Sequence, residues 1–198
     1  CNKFKRVVQT ITYMPHFISM VVICSIIRQF CLSDGVFNDI GAFFGAQRTA
    51  LLQKPAYFRT IYVASGIWQE IGWSSIIYFA ALSGLDKSQQ EAADIDGANR
   101  FQKIVHINFP CLIPTITILL ILNCGSLLTV GYEKAFLLQT SPNLAGSEII
   151  STYVYKMGLE KSDFSFSTAV GLLNSVCNAI ILLIANGVSR AVSQNSLF

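Results

Sequence analysis

Asp86-Lys87-Ser88-Gln89-Gln90-Glu91-Ala92-Ala93-Asp94-Ile95-Asp96-Gly97-Ala98-Asn99-Arg100-Phe101-Gln102-Lys103-Ile104-Val105-His106-Ile107-Asn108-Phe109-Pro110 gathers charge into one island of the sequence. Asp86, Lys87, Glu91, Asp94, Asp96, Arg100, Lys103 and His106 are interleaved at helical spacing with Ala92, Ala93, Ile95, Ala98, Phe101, Ile104 and Val105. That pattern predicts an amphipathic pair of helices with Gly97 as the break. On both sides of the island the sequence turns apolar, so the island marks the point where the chain leaves one oily stretch and enters the next.

Working outward, the 198 residues are 53% hydrophobic and only 13% charged, with a mean hydropathy of +0.52. An average soluble domain carries roughly a quarter charged residues, so this composition argues against a soluble globule. A bilayer core about 30 Å thick needs about 20 apolar residues per helix, and every backbone polar group must be satisfied inside that helix. Four stretches qualify, approximately 7–32, 58–85, 110–130 and 169–189. Pro15 lies near the start of the first, and Pro110 and Pro114 suit the first turn of the third. The second carries Trp68, Gln69, Glu70 and Trp73, and the fourth is interrupted by Asn174, Asn178 and Asn186. These polar positions are expected to face protein or a pore rather than lipid. The expected fold is therefore all-α, a polytopic bundle of membrane-spanning helices.

Four spans put both ends of the chain on the side of the charged island. Lys3, Lys5, Arg6, Lys87, Arg100, Lys103 and Arg190 on that side lean toward a cytoplasmic assignment, while Arg48, Lys54, Arg59, Lys134, Lys156 and Lys161 fall on or near the other. The formal net charge of +3 is too small, and the basic residues too scattered, for a nucleic-acid surface. Cys24, Cys111, Cys124 and Cys177 lie in apolar runs and read as small packing residues; no C-x-x-C or zinc-type spacing is present. His16 has no carboxylate or cysteine at ligand spacing, so no metal site is expected. Neither a signal peptide nor an initiator Met precedes Cys1-Asn2-Lys3, as expected of a piece of a longer protein.

Glu91-Ala92-Ala93, three residues, Gly97, nine residues, then Ile107-Asn108-Phe109-Pro110 resembles the EAA loop of binding-protein-dependent ABC importer permeases. One fixed position departs, Phe109 standing where that family usually has Leu, an apolar exchange at the entry of a span. The likeness extends to Lys5 through Ile11, Tyr13-Met14-Pro15-His16-Phe17-Ile18-Ser19, Ser65-Gly66-Ile67-Trp68, Asp96 through Arg100 and Phe136-Leu137-Leu138-Gln139. Together these are similar to the carbohydrate permeases of the polysaccharide or LplB type, relatives of the maltose permease subunits. The resemblance implies a type I importer permease of the MetI-like fold in a bacterial plasma membrane, with about four spans present of an expected six. It also implies a second permease subunit, ABC ATPase subunits, an extracytoplasmic solute-binding protein and a carbohydrate substrate. Residues 86–109 would then be the cytoplasmic coupling loop, with Glu91, Ala92, Ala93, Asp96, Gly97, Arg100, Ile107 and Pro110 forming the ATPase contact. Small Ala92 and Ala93 suit closure of a partner's groove over the helix. Glu91 complements the positive end of the helix and can pair with a basic residue across the interface.

The chain has no G-x-x-x-x-G-K-[ST] phosphate loop, so ATP hydrolysis is assigned to a partner, and no cofactor is expected. A membrane enzyme would need a nucleophile with a base, an H-E-x-x-H motif or clustered carboxylates within a span, and none is present. A same-fold importer for a non-sugar solute stays open. For the substrate path, the sequence offers Trp68 and Trp73 as sugar-stacking rings or packing aromatics. Glu70, the one acid inside a span, is a path residue, the partner of Arg59 or Arg28, or a residue close to the membrane surface if the span is tilted. Asn123, Ser126 and Asn174 are polyol ligands or interhelical hydrogen-bonders, as is Asn178. Tyr132 and Glu133, with Lys134 beside them, are substrate contacts or solvated loop residues. Residues 147–168 read as an outer helix broken at Gly158 and at Ser162-Asp163.

Overall fold

A computed structural model describes residues 2–193, and among the described residues there is no strand. The helices are α1 (Asn2–Tyr13), α2 (Met20–Phe30), α3 (Val36–Phe43), α4 (Pro55–Ser83), α5 (Lys87–Ile95), α6 (Arg100–Lys103), α7 (Phe109–Gly125), α8 (Tyr132–Leu138), α9 (Leu144–Ser147), α10 (Ile150–Tyr155) and α11 (Phe164–Ser193). They fall into two compact units, residues 2–73 with 129–172, and residues 74–128 with 173–193.

In the first unit, the expected span 7–32 is not a straight rod. Segments Lys3–Phe17 and Met20–Phe30 meet at 100°. A 3₁₀ turn, Met14–Phe17, places buried Pro15 where its missing N–H is tolerated. Extended Ser19 then restarts the helix by accepting the Val22 N–H. The unit's core is Ile23, Cys24 and Ile27 of α2 and Cys31 at its C-terminal end, with Leu52, Phe58 and Leu138. Asn143 beside it is wholly buried and fully used. Its Nδ2 donates to the carbonyls of Leu52 at 2.8 Å and Leu138 at 3.2 Å, while Oδ1 accepts from the Thr140 N–H and the Ser147 hydroxyl. Helix α4 passes so close to α1 that a Cβ on Gly72 would lie 2.0 Å from the Thr12 carbonyl oxygen. Only glycine fits there.

In the second unit, the expected third span, 110–130, begins ten residues early and ends near Gly125. α6, one π-helical turn over Ile104–Asn108 and α7 run on without interruption, as one apolar helix Arg100–Gly125. The Phe109 N–H reaches back five residues to the Ile104 carbonyl. The extra residue in that turn makes room for Pro110 inside a continuous helix rather than at its start. Beyond it, the Leu128 N–H donates to Asn178 Oδ1 at 3.1 Å. Asn178 therefore serves helix-to-chain hydrogen bonding within this unit.

Arg100–Gly125 and the Phe164–Ala191 part of α11 are each long and apolar enough to cross a bilayer, and the bent pair makes a third if it is one span. α4, expected as a span over 58–85, is a single helix of 29 residues, about 44 Å long. It does not reach the same apolar standard, because Arg59, Gln69, Glu70 and the Gly and Ser positions dilute it.

Candidate functional site

The charged island folds as two short helices around one turn. Asp86 caps α5 by accepting the Ser88 N–H at 2.9 Å, and that bond holds its carboxyl below the usual range. α5 ends in a Schellman motif, with the Ala98 N–H on the Ala93 carbonyl and the Gly97 N–H on the Asp94 carbonyl. The motif needs a left-handed residue after the cap, and Gly97 supplies it at φ +74°. Asn99 opens α6 with a capping box: its Oδ1 accepts the Gln102 N–H, and Gln102 Oε1 accepts the Asn99 N–H. Lys103 pairs with Asp94 across the turn.

None of α5 is buried. Glu91 and Ala92 are exposed, Ile95 is 87% exposed and Phe101 72%. Ala93, Asp96, Gly97 and Ile107 surround a shallow concavity with Lys103 and His106. Pro110 lies in a neighbouring concavity with Asp86 and Gln89. Arg100 is exposed at the start of α6. The segment is thus locally rigid, held by its own caps, with two large apolar side chains covered by no described residue.

A second constellation lies in the first unit along one face of α4, where Tyr62, Gly66 and Glu70 recur every four residues. Glu70 does not pair with Arg59 or Arg28; Arg28 donates instead to the Gln139 carbonyl at 3.1 Å. The partner is His16, whose Nδ1 lies 3.1 and 3.3 Å from the two carboxylate oxygens of Glu70. His16, which has no carboxylate at ligand spacing in the sequence and is expected as a satisfied histidine at the entry of a span, is delivered to Glu70 by the α1 to α2 bend. Its ring stacks on Trp73 at 4.4 Å and 3°, and Phe17 meets the same indole edge-on at 5.5 Å. One face of Trp73 is therefore taken by the His16 ring, while the residue as a whole stays 42% exposed. Trp68 is half exposed and lines an apolar groove of about 430 Å³ with Ile23, Ile27, Phe30, Phe37 and Ile61.

Among the other candidates, Tyr132 packs on Phe136 and Tyr155 at 5.5 and 5.0 Å. Partial burial and the Tyr155 hydroxyl push its phenol up to about 12. Glu133 is exposed. In the second unit, Asn123 is exposed and its carbonyl accepts from the Ser126 hydroxyl. Asn174 Oδ1 is buried with no hydrogen-bond donor among the described residues.

Lys134 overturns the expectation of a solvated loop: only 5% of it is exposed. α8 buries Lys134, Ala135 and Leu138, so the lysine shares the buried stripe with a leucine four residues on. That spacing is the signal that would have found it. Its Nζ lies 5.2 Å from the centre of the Tyr62 ring. Among the described residues it has no hydrogen-bond acceptor.

Among the described residues there are helices and no strand, and two of the helices are long and apolar enough to cross a bilayer, which defines the class as a polytopic helical membrane protein. Residues 2–194 match the family described as binding-protein-dependent transport system inner membrane component, and the chain belongs to that family. It is 40% identical to Protein LplB of Bacillus subtilis (strain 168) over 98% of this chain and 62% of that one. It is 38% identical to the polygalacturonan/rhamnogalacturonan transport system permease protein YteP of the same organism, over 98% and 61%. This chain thus spans about three fifths of those relatives. Among solved structures it is similar to a chain of a bacterial alginate ABC transporter in complex with an alginate pentasaccharide-bound periplasmic protein. The TM-score is 0.93 at 38% identity, covering 99% of this chain and 68% of that one. A second, a bacterial ABC transporter involved in the import of the acidic polysaccharide alginate, gives 0.92 at 39% identity, covering 96% and 67%. The fold expected from sequence, an all-α permease of the MetI-like class, is the one these neighbours share.

Proposed function

We propose that this chain forms part of the translocation path of an ATP-driven importer for oligosaccharides or polysaccharide breakdown products, a transport subunit and not an enzyme. A separate ATPase, a second permease chain and an extracytoplasmic solute-binding protein complete the machine. Residues 86–109 dock into the ATPase on the cytoplasmic side. The observation that carries this reading is the exposed pair Ile95 and Phe101 flanking the Gly97 turn. A segment held so firmly by its own caps, yet leaving two large apolar side chains uncovered, is shaped for a groove supplied by another protein. Ala92 and Ala93 give α5 a low profile on entry, and Glu91 stands unburied where a basic groove residue can meet it. Movement of the docked turn would tip the helices as rigid bodies between inward- and outward-open states. The relatives above, named for polygalacturonan/rhamnogalacturonan and alginate transport, support carbohydrate as the cargo.

The test is co-purification of the full-length permease with its ATPase from membranes, comparing wild type with Glu91→Lys and Gly97→Asp. The first reverses the charge facing the groove, and the second adds a carboxylate beside Asp94 and Asp96. Loss of the ATPase, or of substrate-stimulated hydrolysis, in both variants is the expected result. Retention of normal binding and transport in both would remove the coupling role of this segment.

A further inference from the structure

We propose that Lys134 is the residue that recognises a carboxylate on the transported saccharide, so that the cargo is an acidic, uronate-bearing oligosaccharide rather than a neutral one. This rests on the importer reading above and adds the substrate class and the group that selects it.

Lys134 is 95% buried by its exposure of 5%, yet among the described residues no hydrogen-bond acceptor and no carboxylate within 4 Å meets Nζ. The Tyr62 ring offers one face, 5.2 Å away. That cation–π contact leaves the three N–H donors unused. Gly66, one turn further along α4, sets no side chain against Nζ: a Cβ there would sit 3.4 Å from it. Glu70, the next residue on the same face, is within electrostatic reach of Lys134, but its carboxylate is already taken by His16 at 3.1 Å.

A buried ammonium without an acceptor is a costly arrangement, and an anionic partner arriving from outside would relieve that cost. The Glu70–His16 pair answers itself, so among the described residues Lys134 is a buried cation beside this face of α4 that no acceptor contacts. A carboxylate entering beside Gly66 would receive charge-assisted hydrogen bonds from Nζ. The C–H face of its sugar ring would meet Tyr62. A neutral sugar hydroxyl would satisfy the donors without answering the charge, so discrimination follows from the unpaired state itself.

The test uses the whole importer, with both permeases, ATPase and solute-binding protein reconstituted in vesicles, and initial uptake rates of trigalacturonate and of a neutral trisaccharide of equal length. Wild type is compared with Lys134→Met, which keeps the aliphatic stem, and Lys134→Arg, which keeps the charge. Lys134→Met should raise the half-saturation concentration for trigalacturonate at least 10-fold, or abolish its uptake, while Lys134→Arg stays within about threefold of wild type. The proposal is overturned if Lys134→Met keeps the wild-type half-saturation value. It is also overturned if both variants lose activity alike, since packing rather than charge would then be the lysine's role. Wild type that carries the neutral trisaccharide and not the acidic one defeats this inference and leaves the importer reading standing. Wild type that carries neither defeats both.

Discussion

Gly97→Ala separates the local geometry of the turn from the bulk stability of the protein. Gly97 sits at φ +74°, and a Cβ added there would touch nothing within 4 Å. The penalty is therefore torsional alone, roughly 1–2 kcal/mol for an L-residue in the left-handed region. If the ATPase groove accepts only the observed turn, that energy lowers the docked population by about 5- to 30-fold. Gly97→Asn should recover most of the loss, because asparagine visits this region more readily. Gly45 provides the matched control: it lies at φ +84°, also with open space around its missing Cβ, in the turn after α3. Gly45→Ala carries a similar strain at a place the coupling argument does not use. The assay is substrate-stimulated ATP hydrolysis by the reconstituted complex across a titration of ATPase. Gly97→Ala should shift that titration 5- to 30-fold and Gly45→Ala should not. Equal shifts in the two variants, or none in Gly97→Ala, would refute the claim that the ATPase reads the turn's conformation.

Other expectations follow from features of each unit. Asn143→Ala strips hydrogen bonds from the Leu52 and Leu138 carbonyls, the Thr140 N–H and the Ser147 hydroxyl in a place water does not reach. A loss on the order of 3 kcal/mol should lower the midpoint of thermal unfolding in detergent by roughly 6–12 °C; a shift under a degree would mean those groups find other partners. Asp86 has its folded-state carboxyl held below the ordinary value of 3.8 by the Ser88 N–H. Its contribution to α5 is complete above that value and disappears as pH falls through the lowered one. The protection of the Ser88 amide from hydrogen exchange, relative to Asp86→Ala at the same pH, should accordingly be large near neutrality and vanish in strong acid. A ratio that stays constant with pH would assign the cap to something other than the carboxylate.

What could be read from the sequence divides by distance along the chain. The Gly97 turn is legible because everything that makes it lies between Asp86 and Gln102: an aspartate cap, a glycine and an Asn-x-x-Gln box, each recognisable within a few residues. The helical class was legible for the same reason, as local hydropathy. The 100° bend in the first apolar stretch was not, although Pro15 and Ser19 are both visible, because a proline near a helix start reads equally as a first-turn residue. Pro110 misled in the opposite sense: it suggested a beginning, and the π-turn before it absorbed the missing N–H inside a longer helix. The His16–Glu70 pair joins residues 54 apart, and nothing local to either announces the other. Lys134 was hidden by its own chemistry, since a lysine next to a glutamate reads as solvated unless the leucine four residues on is given equal weight.

The uninterrupted run from Arg100 to Gly125 has a mechanical meaning. Its 26 residues make a strut about 39 Å long, one helix that runs on through the five-residue turn at Ile104–Asn108 and past Pro110 and the interior Pro114. A strut with no joint neither stores nor dissipates a push as bending; it delivers the push to its far end. There the chain is pinned to α11 by the Leu128–Asn178 hydrogen bond. If the coupling proposed above holds, a load at the exposed Arg100 end would reach α11 as displacement, through that hydrogen bond and the packing of Gly125 against Leu182.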